Sequence, residues 1–219
     1  MAGRRIIRIA DPVPEAARLF REFHREIRQQ RGSVRLAIPG GSALTVLEKH
    51  IEPEAWQRTL LTWVDERCVP FNHPESNRGE AHRRHILGAV PCVELPLYLD
   101  GESGAEACLR VGTVLWDSFE DALDLLLLGM GEDGHIASLF PGRAWSIHSA
   151  LAHVVEDSPK PPLQRITLSL PMLCTASKAL LLVQGEAKRD ALERLLLGDP
   201  RSPASALPNL VVVTDIQAR

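Results

Sequence analysis

The chain is expected to fold as an open, mainly parallel, Rossmann-like α/β sheet with helices on both faces. Short apolar runs alternate with amphipathic stretches from one end to the other, the pattern of strands joined by helices. The 219 residues suffice to bury a substantial core. Several apolar runs empty directly into glycine-rich or polar segments, which suits a parallel sheet that presents ligand-binding groups at the carboxyl ends of its strands. No linker or internal repeat breaks the alternation, so residues 1–219 are read as one domain.

Ile6-Ile7-Arg8-Ile9 opens the sheet, and residues 14–30 place Ala17, Phe20, Phe23 and Ile27 at helical spacing. Val34-Arg35-Leu36-Ala37-Ile38 is the next strand and runs into Pro39-Gly40-Gly41-Ser42. Ser42 is then placed to cap a helix carrying Leu44, Val46 and Leu47. Leu60-Leu61-Thr62-Trp63-Val64 is a third strand, ending at Asp65-Glu66-Arg67. Residues 106–119 read as helix, 123–128 as a strand, and further strands are expected at 151–155 and 166–168. Ala179 to Val183 is another strand; Gly185 precedes a helix containing Ala191, Leu192, Leu195 and Leu196, and Leu210-Val211-Val212-Val213 closes the sheet.

Composition narrows the function classes. The net charge of −3 comes without a basic block or a basic helix with interleaved aromatics, which argues against a nucleic-acid coat. Arg4-Arg5 and Arg83-Arg84 are only local pairs on solvated faces. Trp56, Trp63, Trp116 and Trp145 lack the spacing of a stacking platform, and Met130 and Phe140 read as core packing. No apolar run approaches bilayer length, and the first residues lack a secretory signal. The four cysteines are scattered without metal or redox spacing, so a reduced, cytoplasmic protein with no bound metal is expected.

The most informative segment is Leu125-Leu126-Leu127-Leu128-Gly129-Met130-Gly131-Glu132-Asp133-Gly134-His135. A short apolar run ends in glycines that carry an aspartate and a histidine two residues apart. Imidazole titrates near neutral pH and can act as a general base, and a carboxylate two positions earlier can orient it. This is the pattern of a catalytic loop at the end of a strand.

Other constellations are weaker singly. Gly40-Gly41-Ser42 joins a strand to a helix, where backbone N–H groups suit a phosphate, although a tight turn would look the same. It matches neither the dinucleotide nor the nucleotide-binding glycine pattern, so no NAD or ATP cofactor is expected. In Asp65-Glu66-Arg67, Arg67 can grip phosphate oxygens and Asp65 can hold a hydroxyl or move a proton; a surface ion pair is the plain alternative. The stiff run Ser158-Pro159-Lys160-Pro161-Pro162-Leu163-Gln164-Arg165 presents Lys160 and Arg165 with little freedom to lose, whether as anion ligands or as exposed cations on a connector. Lys188 stands in the first turn of a helix, where the dipole disfavours a cation, so an anion nearby would explain it. Gly40-Gly41-Ser42, Asp65-Glu66-Arg67, Asp133-Gly134-His135 and Gly185 to Lys188 all follow strands and could meet in one pocket.

Taken in order, these pieces resemble the 6-phosphogluconolactonase family, over nearly the whole chain. The resemblance rests on Ile38 to Ser42, on Asp65-Glu66-Arg67 with His73 and Ser76-Asn77, and on Gly129 to Gly142. It continues through Ser158 to Pro162, Arg165 to Leu168 and Gly185-Glu186-Ala187-Lys188. Ala43-Leu44 departs from the threonine-proline usual after the glycine-rich serine. The related glucosamine-6-phosphate deaminases follow their histidine with a run supplying a catalytic acid, whereas Ala137-Ser138-Leu139-Phe140-Pro141 offers no carboxylate. The resemblance implies hydrolysis of a phosphorylated six-carbon lactone in the oxidative pentose phosphate pathway, without metal or cofactor. His135 would be the base, Asp133 its orienting partner, and Asp65 a hydroxyl-positioning group. Gly40, Gly41, Ser42, Arg67, Lys160, Arg165 and Lys188 would share the phosphate and the developing oxyanion, with backbone N–H groups of Gly131 to Gly134 as further donors. The implied partner is a sugar-phosphate substrate, with no nucleic acid and no membrane, for a monomer or weak homodimer. A non-catalytic sugar-phosphate sensor on the same scaffold is the rival from another class.

Overall fold

The computed structural model describes residues 4–48, 56–87, 92–143 and 150–218, so Trp145 lies outside the described residues. Its centre is a seven-stranded sheet in the order β1-β10-β9-β6-β2-β3-β5, with every pairing parallel. The strands are β1 (Arg5–Arg8), β2 (Val34–Ile38), β3 (Thr59–Trp63), β5 (Val93–Leu95), β6 (Leu125–Gly129), β9 (Lys178–Val183) and β10 (Leu210–Thr214). The helices are α1 (Pro12–Arg31), α2 (Thr45–Glu48), α3 (Asn77–Arg83), α4 (Gly104–Phe119), α5 (Leu170–Cys174) and α6 (Arg189–Leu196). The expected mainly parallel α/β architecture is therefore present.

The sheet core is built from runs with no polar face. Every residue of β2 is buried, as are Leu125 to Leu128 of β6 and Ala179 to Val183 of β9, as a parallel sheet covered on both faces requires. The charged member of β2, Arg35, is accommodated by two bonds from Nε and Nη2 to the Asp124 carboxylate, at 3.0 and 2.8 Å, and one from Nη1 to the Phe119 carbonyl. A buried cation is tolerated when fully paired.

α1 shows why its residues form a helix. Pro12 fits the first helical position, where its missing N–H is not needed, and Gly32 ends the helix with φ 78°. Between them Ala16, Ala17, Leu19, Phe20, Phe23 and Ile27 make a buried stripe. His24 lies on this stripe, its Nε2 3.0 Å from Thr59 Oγ1, and burial lowers its pKa to about 4. It is neutral when folded but protonated below about pH 6.5 when unfolded. Stability should therefore be complete above pH 6.5 and fall towards pH 4, by about 3 kcal/mol in all. Urea unfolding at pH 7 and pH 4.5 should show this slope in the wild type and lose it in His24→Leu; equal acid losses in both would place the sensitivity elsewhere.

The strands expected as parts of one sheet divide between two. β4 (Asp65–Arg67), β7 (Ala152–Val155) and β8 (Arg165–Leu168) form a separate antiparallel sheet in the order β4-β8-β7. Val64 is the joint: its N–H donates to the Ile38 carbonyl of β2, and its carbonyl accepts from Leu168 N–H of β8, each at 2.9 Å. Asp65-Glu66-Arg67 is thus a strand of its own rather than the end of β3. α4, opened by a Ser103–Glu106 capping box, packs on this small sheet, with Gly104 against Val154. β10 does not lie at an edge, because β1 lies outside it. Among the described residues no helix is long and apolar enough to cross a membrane.

Candidate active site

The carboxyl ends of β2, β3 and β6 and the small sheet enclose a cleft of about 190 Å³. Gly40, Gly41, Ser42, Asp65, Arg67, His135, Arg165 and Lys188 all line it, so segments up to 148 residues apart in sequence come together there. Lys160 is exposed and outside this lining, although its charge is felt at Asp133 and Lys188.

β6 delivers the histidine loop. His135 Nδ1 lies 2.5 Å from Asp133 Oδ1, and that same oxygen accepts the His135 backbone N–H at 3.3 Å. Donation from Nδ1 to the carboxylate leaves the Nε2 lone pair as the acceptor. Burial acts to raise the Asp133 pKa, but the hydrogen bond and charge of His135 outweigh it and hold the carboxyl at about 2. The loop closes on itself: Gly131 N–H donates to the His135 carbonyl and Gly134 N–H to the Gly131 carbonyl, both at 2.9 Å. These two N–H groups are already engaged, which removes Gly131 and Gly134 from the expected set of oxyanion donors between residues 131 and 134.

Glycine at 131 is a requirement of this geometry. A Cβ there would stand 2.2 Å from His135 Cε1, 2.3 Å from Nδ1 and 2.6 Å from Asp133 Oδ1. Phe140, expected as core packing, is buried and also backs the imidazole, with ring centroids 4.8 Å apart. Met130 is buried yet contributes to the cleft wall. Behind the loop, Arg194 of α6 donates from Nη2 to the Asp133 carbonyl at 3.0 Å, a brace that no sequence motif indicates.

Asp65 is buried in a polar network. Its Oδ2 accepts Ser138 Oγ–H at 2.6 Å and lies 3.9 Å from Arg165 Nη1, while Asn77 Nδ2 donates to its carbonyl at 2.8 Å and to Oδ1 at 3.2 Å. Ser138 thereby ties the histidine loop to β4. The next residue, Glu66, accepts backbone N–H groups from Arg67, Asn77 and Arg78 at 2.7–2.8 Å and locks β4 to the start of α3. Its burial outweighs those donors and raises its pKa.

The cations differ in freedom. Arg165 Nε and Nη2 donate to the Pro162 and Lys160 carbonyls at 3.1 and 2.9 Å, so the proline-rich turn holds this guanidinium rigid. Arg67 Nη1 donates to the Glu75 carbonyl at 2.7 Å. Burial lowers the pKa of Lys188, opposed by the charges of Glu132 and Asp215. A half-desolvated lysine beside two arginines makes an electropositive wall suited to an anion.

The glycine-rich loop departs from expectation in two respects. Ser42 caps nothing: Gly40 is the N-cap of a 3-10 turn over Gly41–Leu44, and exposed Ser42 lies within it. Gly41, at φ +68°, turns its N–H to Glu80 Oε2 at 2.9 Å. Gly40 must be glycine for a packing reason, since a Cβ would lie 1.9 Å from Asn77 Oδ1.

A family model described as glucosamine-6-phosphate isomerases/6-phosphogluconolactonase matches residues 10–214. Over 188 residues the chain is 37% identical to a chloroplastic 6-phosphogluconolactonase 3 of Arabidopsis thaliana, covering 77% of this chain and 58% of that one. It is 35% identical over 199 residues to the 6-phosphogluconolactonase of Rattus norvegicus, covering 83% and 74%. The chain thus spans less than two thirds of the plant relative's length and about three quarters of the rat one's. A solved 6-phosphogluconolactonase structure from Thermotoga maritima superposes with a TM-score of 0.82 at 26% identity, over 97% of this chain and 99% of that one.

Proposed function

Because the chain belongs to the glucosamine-6-phosphate isomerase/6-phosphogluconolactonase family, we propose that it is a hydrolase that opens 6-phospho-D-glucono-1,5-lactone to 6-phospho-D-gluconate in the oxidative pentose phosphate pathway. The observation that carries this reading is the hydrogen-bonded Asp133–His135 pair at a cleft that also presents Arg67, Arg165 and Lys188. A base and an anion site in one cleft fit a phosphorylated ester. On this reading the chain works as a single cytoplasmic sugar-phosphate lactonase domain, a monomer or weak homodimer.

His135 Nε2 takes a proton from water as the water oxygen bonds to the lactone carbonyl carbon. Asp133 fixes the imidazole and stabilises it once charged. The tetrahedral intermediate collapses by breaking the bond to the ring oxygen, which receives the proton back from His135. Negative charge on the carbonyl oxygen falls to the cations of the cleft, and Gly131 and Gly134 N–H, engaged within the loop, take no part. Asp65, held by Ser138 and Asn77, positions a sugar hydroxyl.

The test generates the lactone in situ from glucose-6-phosphate, NADP and the dehydrogenase, and follows its decay above the spontaneous rate. Acceleration that vanishes in His135→Ala supports the reading. No acceleration, with ammonia released from glucosamine-6-phosphate, would move the chain to the deaminase branch. A phosphosugar that raises Tm without turnover of either compound would make it a sensor.

Arg67→Ala is expected to raise KM for the phosphorylated lactone about tenfold or more, the range for a lost charged hydrogen bond, with a smaller effect on kcat. An unchanged KM would place the phosphate elsewhere in the cleft.

A further inference from the structure

Residue Gly41 of the glycine-rich loop is held on both of its backbone polar groups by one ion pair. Its N–H donates to Glu80 Oε2 at 2.9 Å, and its carbonyl accepts from Arg84 Nη1 at 3.0 Å. The same Nη1 reaches Glu80 Oε1 at 3.0 Å, while Arg84 Nε donates to Glu48 Oε1 at 2.9 Å. Glu80 lies in α3 and Arg84 is the C-cap residue of that helix; neither lines the cleft, so the pair grips the loop from behind. Gly41 has φ +68°, a conformation that costs glycine little but that the loop must still be kept from leaving. On its other side Gly40 is pressed against Asn77, which also begins on α3.

We propose that Glu80 and Arg84 are positioning residues that preform the glycine-rich loop for the substrate phosphate. The proposal rests on the lactonase function proposed above and on the share in the phosphate that the family resemblance implies for this loop, which lines the cleft. Gly41 N–H is turned away from the ligand and spent on Glu80, so the loop binds by its shape and by the donors that remain, with the flanking cations supplying the charge. The loop is then ordered before substrate arrives, and binding does not bear that entropy cost. Arg84 is shared by Glu80 and Glu48, and both carboxylates lie outside the lining of the cleft.

The experiment compares wild type, Glu80→Ala and Glu80→Gln in the lactone assay and in amide hydrogen exchange of the free proteins. Glu80→Ala should raise KM for the phosphorylated lactone roughly tenfold, with kcat within about twofold, and Glu80→Gln should recover part of the loss, since its amide oxygen can accept the Gly41 N–H but brings no charge to Arg84. Gly41 amide exchange should be slow in wild type and accelerate in Glu80→Ala. An unchanged KM overturns the proposal, and so does a lowered KM, which would make the carboxylate a competitor of the phosphate. If the wild type hydrolyses no lactone, the proposed function fails, and the brace is judged by exchange alone: unaltered Gly41 exchange in Glu80→Ala overturns it.

Discussion

His135→Ala is expected to lower kcat by roughly 10²–10⁴-fold, the usual worth of a positioned general base, and to leave KM nearly unchanged. Binding is assigned to the glycine-rich loop and to Arg67, Arg165 and Lys188, whereas His135 bonds to Asp133, so its loss removes proton transfer while the anion site stays. The space left by the ring is bounded by Phe140 and by the self-bonded Gly131–His135 turn, whose hydrogen bonds are backbone to backbone and survive the substitution. Steady-state kinetics on in situ lactone reads the effect directly. Turnover near that of wild type would remove His135 from the mechanism.

Gly131→Ala should be nearly as damaging although it adds one methyl group. The methyl would stand 2.2 Å from the imidazole and 2.6 Å from the carboxylate that orients it. Neither the backbone nor the ring can keep its place, because Asp133 is fixed by Arg194 from behind and the imidazole by Phe140. Displacement of a catalytic group by about 1 Å can cost 10²-fold in rate, so a loss of that order in kcat is expected. Far-ultraviolet circular dichroism should be unchanged, which separates a local shift from unfolding. Wild-type kcat in a folded Gly131→Ala protein would mean that the Asp133–His135 contact is dispensable.

Some of this was readable from the sequence, and the reasons are physical. β6 and β9 announce themselves as continuous apolar runs, and β2 as one interrupted only by Arg35, because strands buried on both faces need no alternation. α1 shows its stripe, with proline and glycine at its two ends. The split into two sheets was hidden, because it depends on which strand pairs with which. Asp65-Glu66-Arg67 is three polar residues whose partner, β8, lies about 100 positions away. α3 was missed since its seven residues, NRGEAHR, carry no apolar stripe, and its start is stabilised by Ser76 and by Glu66 from another element.

The candidate site divides in the same way. Residues in glycine-rich or charged runs at strand ends could be found in order along the chain, and eight of them meet in the cleft. Their supports could not. Ser138 reaches Asp65 across 73 positions, Arg194 reaches a main-chain carbonyl across 61, and Glu80 reaches a main-chain N–H across 39. A bond to a backbone group leaves no mark on the identity of the residue bonded. The oxyanion expectation narrows for a related reason: sequence shows that glycines are present, whereas only the closed turn shows that the Gly131 and Gly134 N–H groups are already in use.

The position of β1 at the rim of the sheet bears on biosynthesis. Its pairing partner is β10, in the register Arg5 to Val211 through Arg8 to Thr214. β1 therefore waits for a partner about 200 positions later in the chain, and β10 must enter between β1 and β9. Until about residue 214 has emerged, Ile6 and Ile7 remain an unmatched apolar edge, exposed to the mispairing that slow-forming parallel sheets invite. Completion of the sheet at this rim is consequently one late step, in which β10 joins β1 to β9.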